Sequence, residues 1–237
     1  MSVLVRLPDG PLAPRSGVRF AAAHVPWGAL SDESGDWYDV LAVSGGGTAF
    51  VVGDAVGHGP AAAPLQRELR AVVRCLAGGG ETGPDIVAAL RAMLRSDFDA
   101  FATLVYAVVS SHGRVTLTNA GHPPPLLLRG RSARFLSGPI APALGVPVDG
   151  DGTATAWLRP GDILVLYSDG LIEHPGLDME IGLRRLADTA RRLAAAPLED
   201  LCGELVGLGF DGTRPADDLT ALAFGVEDHT RQGGPPC

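Results

Sequence analysis

Apolar residues in this chain follow two periods, and the way those periods are segregated along it limits the fold more than any other feature. Eight short runs rich in Val, Leu, Ala and Thr, each bounded by Gly, Pro or Asp, predict strands. They are Val18–His24, Trp37–Ser44, Thr48–Gly53, Phe101–Ser110, Arg114–Thr118, Pro125–Arg129, Asp162–Tyr167 and Leu219–Phe224. Gly45-Gly46-Gly47 and His112-Gly113 sit where tight turns join antiparallel neighbours. After Pro60, which suits a first helical turn, Leu65, Leu69, Val72, Val73 and Leu76 recur at helical spacing until Gly78-Gly79-Gly80. Asp85–Phe98 repeats the pattern through Ile86, Leu90, Met93 and Leu94, and Met179–Ala194 and Leu198–Leu208 predict two more helices. Strands, a helix pair, strands, a helix pair and a last strand predict an α+β fold with antiparallel sheets rather than βαβ alternation.

At 237 residues with 46% hydrophobic side chains, the chain has the material for one large core, and wholesale disorder is excluded. No repeat or linker divides it. A single domain over 18–226 is expected, between a Pro- and Gly-rich lead-in at 1–17 and a flexible tail at 227–237. No apolar window is long enough for a membrane-spanning helix, and the start lacks the basic and apolar regions of a secretion signal. Cys75, Cys202 and Cys237 show no paired spacing, which argues against a disulfide framework or a zinc site and fits a reduced cytoplasm.

All 19 basic side chains are arginines. A chain without lysine has no Schiff-base lysine and no Walker-type phosphate lysine. The net charge of −8, with no basic stripe, argues against nucleic acid as a partner. An acidic protein acting on phosphorylated molecules needs a local positive charge, and a bound metal is the obvious source.

Four acidic corners differ from the ordinary wet faces of helices: Gly35-Asp36-Trp37-Tyr38-Asp39, Gly53-Asp54-Ala55-Val56-Gly57-His58-Gly59, Tyr167-Ser168-Asp169-Gly170 and Asp217-Asp218-Leu219-Thr220. Asp54 and Asp169 each follow a run apolar enough to be buried on both faces. Carboxylates at such strand tips aim oxygens at a common point, the all-oxygen environment that Mg²⁺ and Mn²⁺ prefer. Without arginine partners these acids repel one another, and a cation relieves the repulsion. Taken singly, each reads as a turn, a cap or a solvated pair. Their joint, ordered occurrence is what carries weight.

With Asn119-Ala120-Gly121-His122-Pro123-Pro124-Pro125, Leu144-Gly145-Val146 and Gly161-Asp162, these blocks resemble the SpoIIE/RsbU-type branch of the metal-dependent serine/threonine phosphatases, the protein phosphatase 2C (PPM) superfamily. The resemblance spans about residues 20–226. It implies a four-layer α-β-β-α sandwich of two antiparallel sheets flanked by helix pairs, with two Mn²⁺ or Mg²⁺ ions at one edge. Asp54 would bridge both ions, the Ala55 carbonyl would join one, and Asp36, Asp169 and either Asp217 or Asp218 would complete the set. Asp217 is favoured because the family motif puts its ligand first, and Asp39 is a candidate for the outer shell. The ions would ready a water for in-line attack on a phosphomonoester, and either a water on the ions or His58 would protonate the leaving group. Asn119, the sole asparagine, reads as an organiser of the turn before Pro123.

The implied substrate is a phosphorylated anti-anti-sigma (STAS) protein in a bacterial partner-switching circuit of sigma-factor control, of the kind that governs stress response and sporulation. Regulation would come from a separate protein or a homodimer, in the cytoplasm. A catalytically silent binding module and a hydrolase of small phosphate esters are the rival readings.

Overall fold

Strand alternation and helical periodicity sort the apolar residues into three layers, and the elements follow the expected order. The computed structural model describes residues 17–27, 33–57, 59–95, 100–110, 112–146, 152–174, 176–211 and 214–227. Residues 1–16 of the expected lead-in and 228–237 of the expected tail lie outside the described residues.

Strands β1 (Val18–Val25), β2 (Asp36–Ala42) and β3 (Thr48–Ala55) precede helices α1 (Ala63–Gly79) and α2 (Gly83–Leu94). Next come β4 (Ala102–Val109), β5 (Arg114–Ala120), β6 (Leu126–Arg129), β7 (Ser132–Phe135), β8 (Thr153–Trp157) and β9 (Ile163–Tyr167). Helices α3 (Met179–Arg192) and α4 (Leu198–Val206), a small hairpin of β10 (Phe210–Asp211) and β11 (Arg214–Pro215), and β12 (Leu219–Val226) complete the described chain. One five-stranded sheet runs β2-β3-β4-β5-β8 and the other β1-β12-β9-β6-β7, with neighbours antiparallel throughout. With a helix pair on the outer face of each sheet, the fold is the four-layer α+β sandwich. Among the described residues no helix is long and apolar enough to cross a membrane.

Parity along each strand decides which layer a side chain enters. Tyr38, Val40, Phe50, Val52, Val105, Leu164, Leu166, Leu222 and Phe224 fill the space between the sheets. There the Phe50 and Phe224 rings stack with centroids 3.9 Å apart. Trp37, Leu41, Ala49 and Val51 face the other way, onto Leu69 and Val73 of α1 and Ile86 and Leu90 of α2. Val165, Tyr167, Ala221 and Ala223 pack on Leu186 of α3 and Leu201 and Leu205 of α4. Cys202 is buried in that last layer, where burial pushes its thiol up to about 12, and it donates to the Ala21 carbonyl at 3.3 Å.

Local departures have local causes. Pro60 occupies a short 3₁₀ turn over Gly59–Ala61, and α1 starts at Ala63 with Pro64 in its first turn. Helix α2 ends at Leu94, with residues 96–98 of the expected helix lying outside the described residues, and α4 passes into a 3₁₀ turn over Gly207–Gly209. Strands β7 and β8 are unexpected. Both are edge strands whose side chains are mostly exposed or half-buried, so no apolar run marks them.

Candidate functional site

The same parity rule that fills the inter-sheet layer carries polar residues into it at one end of the sandwich. Asp36 continues the Tyr38–Val40 face of β2, Asp54 the Phe50–Val52 face of β3, and Thr220 the Leu222–Phe224 face of β12. Asp36 and Asp54 stand directly opposite each other in the β2–β3 ladder. Two like charges in that position destabilise a sheet unless something neutralises them. The sheets meet here through side chains. The Thr220 hydroxyl donates to Asp36 Oδ2 at 2.7 Å, and Ser168, at the end of β9, also hydrogen-bonds Asp36. Since Thr220 gives its one proton to Asp36, it accepts from His24 Nδ1 at 2.9 Å. The Thr220 amide donates to Ser168 Oγ at 2.9 Å, which locks β12 to the strand that delivers Asp169.

Burial and mutual repulsion raise the affinity of these acids for protons. Asp36 is 3% exposed and is held well above the usual carboxylate range. Burial is the main cause, and Asp218 and Asp169 add to it against the hydrogen bonds from Ser168 and Thr220. Asp54 is pushed up to about 10 by burial and then by Asp36, Asp169, Asp217 and Asp218. Asp169 rises to about 6 through burial, Glu173 and Asp217, against the Gly170 amide. The four acidic corners therefore share one electrostatic neighbourhood, with no arginine among the causes of these shifts.

The two adjacent acids before β12 divide their work. Asp218, 2% exposed, accepts the Trp27 amide on Oδ1 at 2.6 Å and the Gly35 amide on Oδ2 at 2.8 Å. Both of its oxygens thus tie down the segments that flank β1 and β2. Asp217 Oδ1 accepts the Asp218 amide at 2.7 Å, and its side chain borders a groove with Gly170 and Glu173. Ala55 donates its amide to the Gly35 carbonyl at 3.1 Å. A Cβ on Gly35 would lie 2.7 Å from the Ala55 carbonyl oxygen, so only glycine admits this approach. Gly170 is similarly confined, 2.4 Å from the Asp218 carbonyl to where a Cβ would stand.

Oxygen convergence is looser than the strand-tip argument predicts. Among the described residues, no three His, Cys, Asp or Glu side chains gather closely enough to form a ready-made cation cage. The hydrogen bonds give the reason: Asp36, Asp217 and Asp218 turn oxygens toward protein donors, which separates groups that repel. His58 lies outside the described residues.

Asp39 is a correction to the outer-shell expectation. Its odd position in β2 points it toward α1, where Arg70 Nη2 and Arg74 Nη2 donate to its Oδ1 at 2.9 and 2.6 Å. Sequence reasoning also missed Ser168 and Thr220 as supports of Asp36, although both stand inside the acidic blocks. His122 had no signal beyond its place after Asn119. It is 2% exposed, and Asn119 fixes its backbone by accepting its amide and donating to its carbonyl, both at 2.9 Å. Its Nε2 faces the Tyr167 carbonyl at 3.0 Å, so that nitrogen carries the proton and Nδ1 accepts the Thr103 hydroxyl at 2.7 Å. Burial holds the ring down to about 3, against the Tyr167 carbonyl, and so keeps it neutral. Thr103 pairs with Asp54 in the β3–β4 ladder, and Tyr167 is two residues before Asp169. His122 therefore braces the Asp54 strand against the Asp169 strand.

Residues 44–227 match the family model described as stage II sporulation protein E (SpoIIE). The chain is 29% identical over 227 residues to protein IcfG of Synechocystis, covering 80% of this chain and 35% of that protein. It is 33% identical to the RsbU and RsbW domains of Rv1364c from Mycobacterium tuberculosis, with a TM-score of 0.82 over 92% of this chain and 61% of that one. The chain thus spans about a third of its curated relative and three-fifths of this structural one. The fold extends to the catalytic domain of the serine/threonine phosphatase PstP, solved with two manganese ions, at 18% identity and a TM-score of 0.66 over 90% and 99% of the two chains. The chain belongs to the SpoIIE family of PP2C-like phosphatases.

Proposed function

We propose that this domain is a divalent-metal-dependent protein phosphatase that hydrolyses phosphoserine and phosphothreonine, and that its substrate is a phosphorylated anti-anti-sigma (STAS) protein in a cytoplasmic partner-switching circuit. One observation carries the reading: buried Asp36 and half-buried Asp54 and Asp169 share raised proton affinity, and among the described residues no arginine offsets them. That donor set fits a hard cation, because a protein that buries like charges without a partner either protonates them or binds a counter-ion. Asp36, Asp54, the Ala55 carbonyl, Asp169 and Asp217 are the residues that would hold Mn²⁺ or Mg²⁺. Bound there, the ions would supply countercharge for the phosphate and the acidity that readies a water for in-line attack.

The chain's own groups do the positioning. Thr220 and Ser168 fix Asp36, Asp218 fastens the segments beside it, and neutral His122 holds the Asp54 and Asp169 strands in register without adding charge. Support for a protein substrate comes from the family and from the Rv1364c likeness, in which an RsbU domain occurs with an RsbW domain. The domain limits of 18–226 and control by a separate protein or a second copy belong to the same proposal.

Activity on p-nitrophenyl phosphate with Mn²⁺, its loss with chelator and its absence in Asp54→Asn are the expected results. Release of phosphate from a phosphorylated STAS protein then tests the substrate. Metal-independent hydrolysis, or an Asp54→Asn variant as active as the parent, overturns the reading.

A further inference from the structure

We propose that the groove between Asp217 and the start of α3 seats the residues that flank the phosphorylated side chain of a protein substrate, and that it selects apolar neighbours over acidic ones. The inference rests on the phosphatase reading above and adds a specificity to it. The groove measures about 350 Å³ and is lined by Gly170, Glu173, His174, Leu177, Met179 and Asp217. That is within the usual size of ligand clefts, enough for a short stretch of extended chain with its side chains.

Its position supplies the first argument. Gly170 and Asp217 belong to both the groove and the acidic corner, since Gly170 follows Asp169 directly. A phosphate held at the corner leaves neighbouring residues, at roughly 3.5 Å of chain each, to run along the groove.

Its surface supplies the second. Leu177 and Met179 of the lining are 44% and 50% exposed, and Ile181, outside the lining but two residues further along α3, is 41% exposed, on a protein of net charge −8. Such a patch beside a polar site marks an interaction surface, and methionine adapts to varied partners. Two hydrogen bonds anchor the backbone of the patch. The Leu177 amide donates to the His174 carbonyl at 3.0 Å, and Asp178 caps α3 by accepting the Glu180 amide at 2.8 Å.

Charge supplies the third. Glu173 and Asp217 both line the groove, so it carries two acidic side chains. The Glu173 amide donates to the Asp169 carbonyl at 2.8 Å, which keeps that carboxylate at the rim. An acidic residue beside the phosphate would face Glu173 across a short gap, a built-in repulsion against the wrong sequence. An apolar residue meets Leu177 and Met179 instead.

Two phosphoserine hexapeptides, identical except for Leu or Asp on both sides of the phosphoserine, test this with the Mn²⁺-loaded protein. The expected kcat/KM favours the Leu peptide by roughly 10-fold or more. The double variant Leu177→Ser/Met179→Ser reduces that preference through a higher KM for the Leu peptide, while p-nitrophenyl phosphate turnover stays unchanged. Glu173→Gln improves the Asp peptide selectively. A preference undiminished in the double variant, or p-nitrophenyl phosphate turnover that falls in parallel, overturns the groove. Equal turnover of both peptides also overturns it and leaves the phosphatase reading standing. Turnover of p-nitrophenyl phosphate with neither peptide cleaved overturns both.

Discussion

Acids withdrawn wholly or partly from solvent occur in two kinds of place in this molecule, and the protein treats them oppositely. Asp39 and Asp162 are each wrapped by guanidinium groups. Arg70 and Arg74 clamp Asp39, and Arg129 meets Asp162 through Nε at 3.0 and 3.1 Å and Nη2 at 2.6 Å. Burial alone would push Asp162 up, but Arg129 and the Arg159 amide hold it below the usual carboxylate range. Asp36, Asp54 and Asp169 receive hydroxyl and amide hydrogen bonds at most, and their proton affinity rises. Among the described residues, no arginine is among the groups that shift these three acids. Where an acid serves the fold, arginine neutralises it in place; where the acids face one another at the sheet ends, they are left to take up a proton or, on the proposed reading, a cation.

The largest expected effect breaks that contrast at Asp54. Asp54→Asn removes a central acid, so Mn²⁺-dependent turnover falls to background. The same change removes the cost of taking up a proton at Asp54 on folding, so the chelator-treated variant melts higher than the chelator-treated parent. A metal-free variant that melts lower would mean Asp54 is structural, as Asp39 is.

Asp39→Asn is expected to do the reverse, retaining turnover per folded molecule while losing about 1–3 kcal/mol of stability in denaturant unfolding. A fully enclosed pair would cost roughly 3–5 kcal/mol, but the Arg70 and Arg74 side chains are 30% and 40% exposed and can turn to water.

A pH dependence sharpens the comparison. Asp54 titrates at about 10 in the folded protein and near its ordinary 3.8 when unfolded, so between those values the folded state holds the extra proton. Stability of the metal-free protein therefore falls as pH rises. His122, lowered to about 3 from an ordinary 6.5, acts the opposite way below pH 6.5, and Cys202 adds its effect only near its ordinary 9 and above. Between pH 7 and 8.5 the Tm of chelator-treated protein is expected to drop, and saturating Mn²⁺ or Asp54→Asn should flatten the trend. A flat or rising Tm in the unsubstituted, chelator-treated protein would remove the argument that Asp54 takes up a proton on folding.

Much of this corner is written in the sequence as strand ends: an acid following Thr48–Val52, another following Ile163–Tyr167, and a pair preceding Leu219–Phe224. Periodicity also carries the two helix pairs, because each buries an apolar stripe. What it cannot carry is which neighbour meets which acid. Asp36 and Asp39 look alike in Gly35-Asp36-Trp37-Tyr38-Asp39, yet odd and even positions in β2 send one between the sheets and the other to α1. Contacts such as Thr220 to Asp36 span 184 residues and depend on how two sheets stack. Edge strands β7 and β8, with no buried face to enforce alternation, left no pattern to read.

The smallest expected effect separates holding an acid from being one. Thr220 donates to Asp36 and accepts from His24, so Thr220→Val leaves Asp36 with Ser168 as its remaining hydroxyl partner. Supports of this kind typically change metal affinity by about 10–100-fold, and with Ser168 retained the lower end applies. The Mn²⁺ concentration for half-maximal p-nitrophenyl phosphate turnover should rise about 10-fold, with turnover at saturating metal nearly unchanged and Thr220→Ser restoring the parent value. If Thr220→Val lowers saturated turnover as far as Asp54→Asn does, the hydroxyl takes part in the reaction itself rather than in orienting Asp36.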